Sequence, residues 1–268
     1  MMGSASSFPD FIQARDAAGL QTYMTTELIQ VAHRQRNNQA LFEACRDGAD
    51  EICEVLISFG ADVNSAVGNG RTPLMATASE DSTPIGLTLD QIISGRCRCM
   101  RSLIAAGVAI DQTCIDGWTA LMYAMWNRLD RIRLTEILVE AGANVNKLNN
   151  NRESALYFAI NRNNVDVVEL LLESGAYFDA VNVNGWTPMH VACINLNPRV
   201  VESLLRHNAD IDIVDNRGVT ALQKAISCPP TSPNRVAVLQ LMATCAQTRL
   251  EASSTEWIRL ARNERNRP

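Results

Sequence analysis

The chain has 268 residues, 47% of them apolar, 20% charged and 5% aromatic, and 24 basic against 29 acidic side chains leave a net charge of −5. That balance excludes a strongly basic polymer-binding protein, so neither nucleic acid nor a membrane surface is an expected partner, and no apolar run approaches the roughly 18 residues of a spanning helix. The first residues, MMGSASSFPDFIQARD, lack the basic and apolar regions of a secretory signal, and eight cysteines fall far below disulfide-scaffold density, so an intracellular setting, cytoplasmic or nuclear, is expected.

In chain order, residues 1–36 read as an N-terminal helical cap or degenerate repeat, with Ala14 to Gly19 imitating the end of one helix and Leu20 to Ala32 reading as the next. A similar segment then recurs. Gln39-Ala-Leu-Phe, Thr72-Pro-Leu-Met, Thr119-Ala-Leu-Met, Ser154-Ala-Leu-Tyr, Thr187-Pro-Met-His and Thr220-Ala-Leu-Gln are spaced 33, 47, 35, 33 and 33 residues. A second register, Gly60-Ala61, Gly107-Val108, Gly142-Ala143, Gly175-Ala176 and Asn208-Ala209, drifts with it at 47, 35, 33 and 33. Two registers that shift together mark a duplicated unit.

Each part of the unit has a physical reason. Thr or Ser caps a helix by accepting from an orphan N–H of its first turn, and Pro73 or Pro188 suits the next position. Ala44, Ala124, Ala159, Ala192 and Ala225 lie five residues on, where a small side chain lets neighbouring helices approach. A second apolar helix follows, as in Val165–Leu172 and Val200–Leu205, with helical spacing. Gly, or Asn208 once, then supplies the left-handed residue that ends it. Asn69-Gly70, Asp116-Gly117 and Asn184-Gly185 are tight-turn signals.

Helix, helix and hairpin in units of about 33 residues resemble the ankyrin repeat, whose T-P-L-H-x-A signature is matched best by Thr187-Pro-Met-His-Val-Ala192. The resemblance implies an all-α repeat solenoid, a stack of helix–turn–helix units joined by β-hairpin loops, with about six repeats over residues 37–246. The second repeat carries an insertion near residues 82–96, with a helical turn over Leu89–Ile93 and a solvated charge run of Arg96, Arg98 and Arg101. In the weaker sixth repeat, Pro229, Pro230 and Pro233 separate the helices. Residues 247–268 read as a capping helix and tail, with a capping box of Ser253 and Glu256.

Catalytic chemistry finds no footing in the sequence. There are three histidines, His33, His190 and His207. None lies in a metal or nucleophile motif, and the resemblance implies that His190 bonds locally to Thr187. Cys97-Arg-Cys99 with Cys114 is spaced too tightly for a zinc knuckle. Gly68-Asn-Gly70 is a turn, and Glu80-Asp81 is a solvated pair. The expectation is therefore a non-enzyme with no catalytic residue, metal or cofactor.

What remains is a surface for a protein partner, presented by a monomer. The resemblance implies that hairpin tips and the exposed side of the inner helices bind it on one concave face, with Ser79 among the residues facing the groove. Arg71, Trp118, Glu153 and Trp186 are tip positions, and Trp126, Asn127, Asn161, Arg162 and Asn195 are inner-helix positions. Three of the four tryptophans thus fall where core packing does not demand them, in a residue type that dominates interface hot spots. Two alternatives stand beside this reading. Only Lys147 and Lys224 are lysines, which fits a recognition or regulatory subunit of an enzyme complex such as a ubiquitin ligase. The resemblance also implies hydroxylation of hairpin asparagines with Leu eight residues upstream, as at Asn64 and Asn146.

Overall fold

Helix starts follow the hydroxyl residues. In the computed structural model, which describes residues 15–19, 21, 33–79, 86–126 and 130–248, with side chains from Asn38 onward within the first long helix, Thr72 Oγ1 accepts from Met75 N, Thr119 from Met122 N and Ser154 from Tyr157 N. Thr187 and Thr220 do the same within capping boxes closed by His190 and Gln223. Such a cap is worth about 1 kcal/mol.

The chain falls into two units, residues 1–158 and 159–268. The first contains α1 (His33–Asp47), α2 (Asp50–Ser58), α3 (Pro73–Ala78), α4 (Leu89–Ala105), α5 (Ala120–Trp126), α6 (Arg131–Glu140) and the start of α7 (Ala155–Asn161). Inner helices α1, α3 and α5 pack in sequence, as do outer helices α2, α4 and α6. The second unit holds the remainder of α7, α8 (Val165–Glu173), α9 (Pro188–Asn195), α10 (Pro198–Arg206), α11 (Ala221–Ser227) and α12, residues 235–248. There α9 packs on α11 and α8 on α10. All five alanines expected at helix contacts are fully buried. Gly60, Gly107, Gly142, Gly175 and Asn208 have the positive φ that ends an outer helix. Among the described residues the hairpins form isolated antiparallel bridges, Val67 with Arg71 and Val214 with Thr220.

The second repeat departs from expectation. Its extra residues do not form a short helical turn in a loop; from Leu89 they lengthen the outer helix to 17 residues, begun by a Thr88–Gln91 capping box. Arg96 is not part of a solvated charge run, being only 1% exposed. Its Nε donates to Arg46 O at 2.8 Å and its Nη1 to Ser79 O at 2.7 Å. These carbonyls end α1 and α3, where backbone acceptors lack intrahelical donors and a cation is favoured. Arg98 is exposed and pairs with Asp50, and Arg101 is exposed. Beside Arg96 the helices nearly touch: a Cβ on Gly95 would lie 2.0 Å from Gly48 O, and one on Gly48 would lie 2.7 Å from Ile92 O. Ser79, expected to face the groove, is buried, and its Oγ donates to Ala76 O.

At the N-terminus, α1 begins at His33, ahead of the expected start near residue 37. Arg15 Nη2 donates to Asp47 O at 2.7 Å. Most of Leu20–Ala32, Glu80-Asp81 and the capping helix expected after Ser253 lie outside the described residues.

Candidate functional site

Three hairpin tips are held by the side chain four positions before them, whereas Val67 and Cys114 meet the tips Arg71 and Trp118 through backbone bonds. Asn182 Oδ1 accepts from Asn184 N at 2.9 Å and Trp186 N at 3.0 Å. Asn149 Oδ1 accepts in the same way from Asn151 N and Glu153 N, and Asp215 Oδ1 from Arg217 N and Val219 N. A short polar side chain bonding its own backbone two residues on substitutes for a turn. Asn149, Asn182 and Asp215 are buried, so they fix the tip side chains rather than meet a partner. The sequence reading missed them, although an Asn or Asp four residues before the tip is a legible signal. Neighbouring tips are then tied together: Asn150 N donates to Asp116 O and its Nδ2 to Ile115 O, while Asn216 N donates to Asn184 O and its Nδ2 to Val183 O.

In the first unit this scaffold gathers aromatic rings. The Trp118 ring lies 4.5 Å from Phe158, 5.4 Å from Tyr123 and 5.8 Å from Trp126, the last pair edge to face at 77°. Tyr157 meets Phe158 edge to face at 5.6 Å. Pairs in this range contribute about 0.5–1.5 kcal/mol beyond area burial. Arg71, the preceding tip, places its guanidinium 4.9 Å from the Tyr123 centroid and 5.6 Å from that of Phe42. Glu153 is half-buried and accepts from Asn149 Nδ2. Trp126 stays 49% exposed, and Ile115 in the same repeat's hairpin is 71% exposed. The structure therefore brings Trp118 and Trp126 together, with Arg71 against Tyr123 of the same cluster. Asn127 lies outside the described residues.

In the second unit Trp186 is half-buried; its Nε1 donates to Asp215 Oδ2 at 3.2 Å, and Lys224 Nζ lies 4.9 Å from its ring. Lys224 also pairs with Asp215 at 2.7 Å. The Lys224 ammonium holds the Asp215 carboxyl well below the usual carboxylate range, helped by the Val219 and Arg217 amides. Asn161 is exposed and Arg162 half-buried. Asn195 spends its amide on Ile160 O at 3.0 Å.

His190 takes the role expected of it. Its Nδ1 lies 3.2 Å from Thr187 N and 2.8 Å from Thr187 Oγ1, and its Nε2 lies 3.0 Å from Val219 O. An Nδ1 that accepts from an amide places the proton on Nε2, which donates to the carbonyl. Burial pushes this imidazole below its ordinary pKa, against the Val219 carbonyl and Asp215, which favour the cation, while Lys224 opposes it. A base with a depressed folded pKa contributes stability above the unfolded value of about 6.5 and loses it as pH falls. Urea midpoints should therefore drop between pH 7.5 and 5.5, and His190→Asn should show a smaller drop. An equal drop in the variant would remove the histidine as the cause.

The hairpin asparagines serve the same framework. Asn64 Oδ1 accepts from Ala109 N at 2.7 Å, as Asp111 Oδ1 accepts from Asn144 N and Asp179 Oδ1 from Asp210 N. Asn146 is half-buried, and its N donates to Asn144 Oδ1 at 2.9 Å. Leu56 and Leu138, eight residues upstream of the two asparagines, are fully buried. Cys97 and Cys114 are buried, and Tyr123 Oη meets Cys114 Sγ at 3.7 Å. Cys99 turns instead toward Cys45 and Cys53.

Comparison with known proteins agrees with this architecture. The family model described as "Ankyrin repeats (3 copies)" matches residues 91–182 and 175–248. Among solved structures, the ankyrin repeat domain of human ASB11 is similar with a TM-score of 0.65 and 23% identity, over 88% of this chain and 97% of that one. An ankyrin repeat domain from Acinetobacter baumannii AYE is similar with a TM-score of 0.64 and 20% identity, over 77% of this chain and 97% of that one. In addition, no helix among the described residues is long and apolar enough to cross a membrane.

Proposed function

The chain belongs to the ankyrin-repeat family, and from that premise we infer that it is a non-enzymatic module that recognises a protein partner through its hairpin tips and inner helices. The observation that carries this reading is Trp126. It stands half-exposed against Trp118, in a cluster whose inner rings already rest on one another. Packing accounts for Trp118, which three rings surround. It does not account for the open face of Trp126, a large apolar surface of the type that anchors interfaces. Because Trp118 fixes the ring beforehand, docking costs little side-chain entropy.

In the first unit, Arg71, Trp118, Trp126 and Glu153 line the proposed surface, and Asn127 is proposed for it from its place in the sequence alone. In the second, Asn161, Arg162, Trp186 and Asn195 do so. Trp186 and Asn195 divide their polar groups between this role and the framework bonds described above. Trp126→Ala should weaken partner capture by about 2 kcal/mol, roughly thirtyfold, with the loss of stability held to about 1 kcal/mol, the value of one edge-to-face pair. Pull-down followed by titration against the captured partner checks the first, and thermal unfolding the second. Unchanged affinity with a large fall in the unfolding midpoint would assign Trp126 to the core and overturn the reading.

The scarcity of lysine favours one narrower version, in which the partner system transfers ubiquitin. Of the two lysines, Lys224 is committed to Asp215, while Lys147 is exposed. Ligase scaffold components co-purifying with the wild-type chain would support that version, and their absence under mild conditions would remove it. Hydroxylation at Asn64 and Asn146 is a separate proposal, supported by the two upstream leucines. An oxygen-sized mass gain after incubation with an asparaginyl hydroxylase tests it, and an unchanged mass would end it.

A further inference from the structure

The family's packing rules leave one cluster of the first unit unexplained. Cys45 on α1, Cys53 on α2 and Cys99 on α4 are all fully buried, and the three helices pack on one another pairwise. Their sulfur atoms all lie within 4.8 Å of one another, and Cys45 Sγ is 3.7 Å from Cys53 Sγ. This separation is well beyond a disulfide bond of about 2.05 Å, and all three cysteines are free. It does match the edge of a metal polyhedron, since sulfurs held at about 2.3 Å from one ion stand about 3.8–4.0 Å apart.

We propose that Cys45, Cys53 and Cys99 form a buried three-thiolate site for a single copper(I) ion. Thiolates are soft donors, which select copper(I) and zinc among the common metals. Structural zinc is closed by four ligands, and among the described residues no further His, Cys, Asp or Glu joins this group. With every ligand sealed from solvent there is also little provision for a coordinating water. Three sulfurs alone suit an ion content with three-coordination, and copper(I) is that ion. Binding changes no oxidation state: Cu⁺ replaces the thiol protons, which pass to solvent, and three Cu–S bonds form.

Loading leaves a net negative charge among three buried sulfurs. Burial pushes the Cys45 thiol well above its ordinary value, so the metal must displace its proton to bind. The Arg96 guanidinium sits at the same joint, bonded to the carbonyl of Arg46, the residue after Cys45.

The test uses the full chain, reduced and metal-free under anaerobic conditions, titrated with copper(I) held by a coloured copper(I) chelator. The wild type should withhold one equivalent from the chelator and unfold at a higher temperature when loaded. Cys53→Ala should lose both effects, while Cys97→Ala and Cys193→Ala keep them. X-ray absorption of the loaded wild type should show three sulfur neighbours in one shell, which decides the matter even if Cys53→Ala does not fold. Copper retained equally by a folded Cys53→Ala, no equivalent withheld by the wild type, retention of zinc in place of copper, or nitrogen or oxygen in the first shell would each overturn the proposal.

Discussion

Arg96→Met should lower the unfolding free energy by about 4 kcal/mol, since two buried carbonyls each lose a charged donor at about 1–3 kcal/mol. Methionine keeps the apolar stem but ends where the guanidinium begins, so the loss combines the missing hydrogen bonds with the space that Cζ and both Nη atoms filled. The carbonyls of Arg46 and Ser79 then remain buried at two helix ends with their Arg96 donor gone, and each such group costs about 1–3 kcal/mol. Arg96→Lys separates charge from shape. An ammonium keeps the charge, but as a point donor on a flexible stem it does not reproduce a planar fork spanning two acceptors, and it should recover less than half of the loss. Urea denaturation of the three proteins measures both values. A methionine variant within 1 kcal/mol of wild type would show that the two carbonyls find other donors and that Arg96 is dispensable.

The second large effect reverses an ordinary rule. Replacing a helix-interior glycine by alanine normally stabilises by about 0.8–1 kcal/mol, and Gly95 lies inside α4. Here the added methyl would stand 2.0 Å from Gly48 O, against the backbone of Gly48 and with no flexible side chain able to move away. Overpacking of this kind costs about 1–3 kcal/mol and occasionally more. We therefore expect Gly95→Ala to destabilise by about 3 kcal/mol, the clash exceeding the propensity gain. Gly60→Ala supplies the comparison: it has positive φ but nothing within 4 Å of an added Cβ, so only the left-handed strain of about 1–2 kcal/mol applies. Thermal or urea unfolding of the pair checks the order. If Gly95→Ala proves as stable as wild type, the α1–α4 joint is able to open, and the close approach is not a constraint.

The contrast between what the residues announced and what they concealed follows from the range of each interaction. Caps, turns and helix ends depend on partners within about four positions, so Thr187 with His190, or Gly175 after α8, could be read directly. The burial of Ala44, Ala124, Ala159, Ala192 and Ala225 was legible for a related reason: repetition turns a contact between neighbours into a pattern along one chain. The Arg96 joint is different, because its acceptor Arg46 O is 50 residues away. A trace of it was present even so. Ile92, Arg96, Met100 and Leu103 follow helical spacing, which places Arg96 on an apolar face once α4 is recognised as a long helix. Reading Leu89–Ile93 as an isolated turn hid that phase. At the candidate surface, positions were legible and relations were not. Trp118 and Trp126 could be assigned to a tip and an inner helix, but their edge-to-face contact, and the ion pair that occupies Trp186, arise only on folding. The cysteine trio escaped for the same reason: three helices must assemble before Cys99 meets Cys45 and Cys53.

Gly48, Gly95 and Arg96 together limit how far this array can be treated as modular. A standard repeat can in principle be duplicated, deleted or exchanged for another, because each communicates with its neighbours through interchangeable faces. The second repeat has given up that freedom, since its lengthened helix reaches back with a guanidinium that ties the end of α1 to its own α3, and with a glycine fitted to one particular bend. A chimera that replaces residues 72–107 with a generic cassette would leave Gly48 facing an ordinary side chain and Arg46 without its donor. Recombination across this boundary should therefore succeed only when the first two repeats travel as one inheritable block.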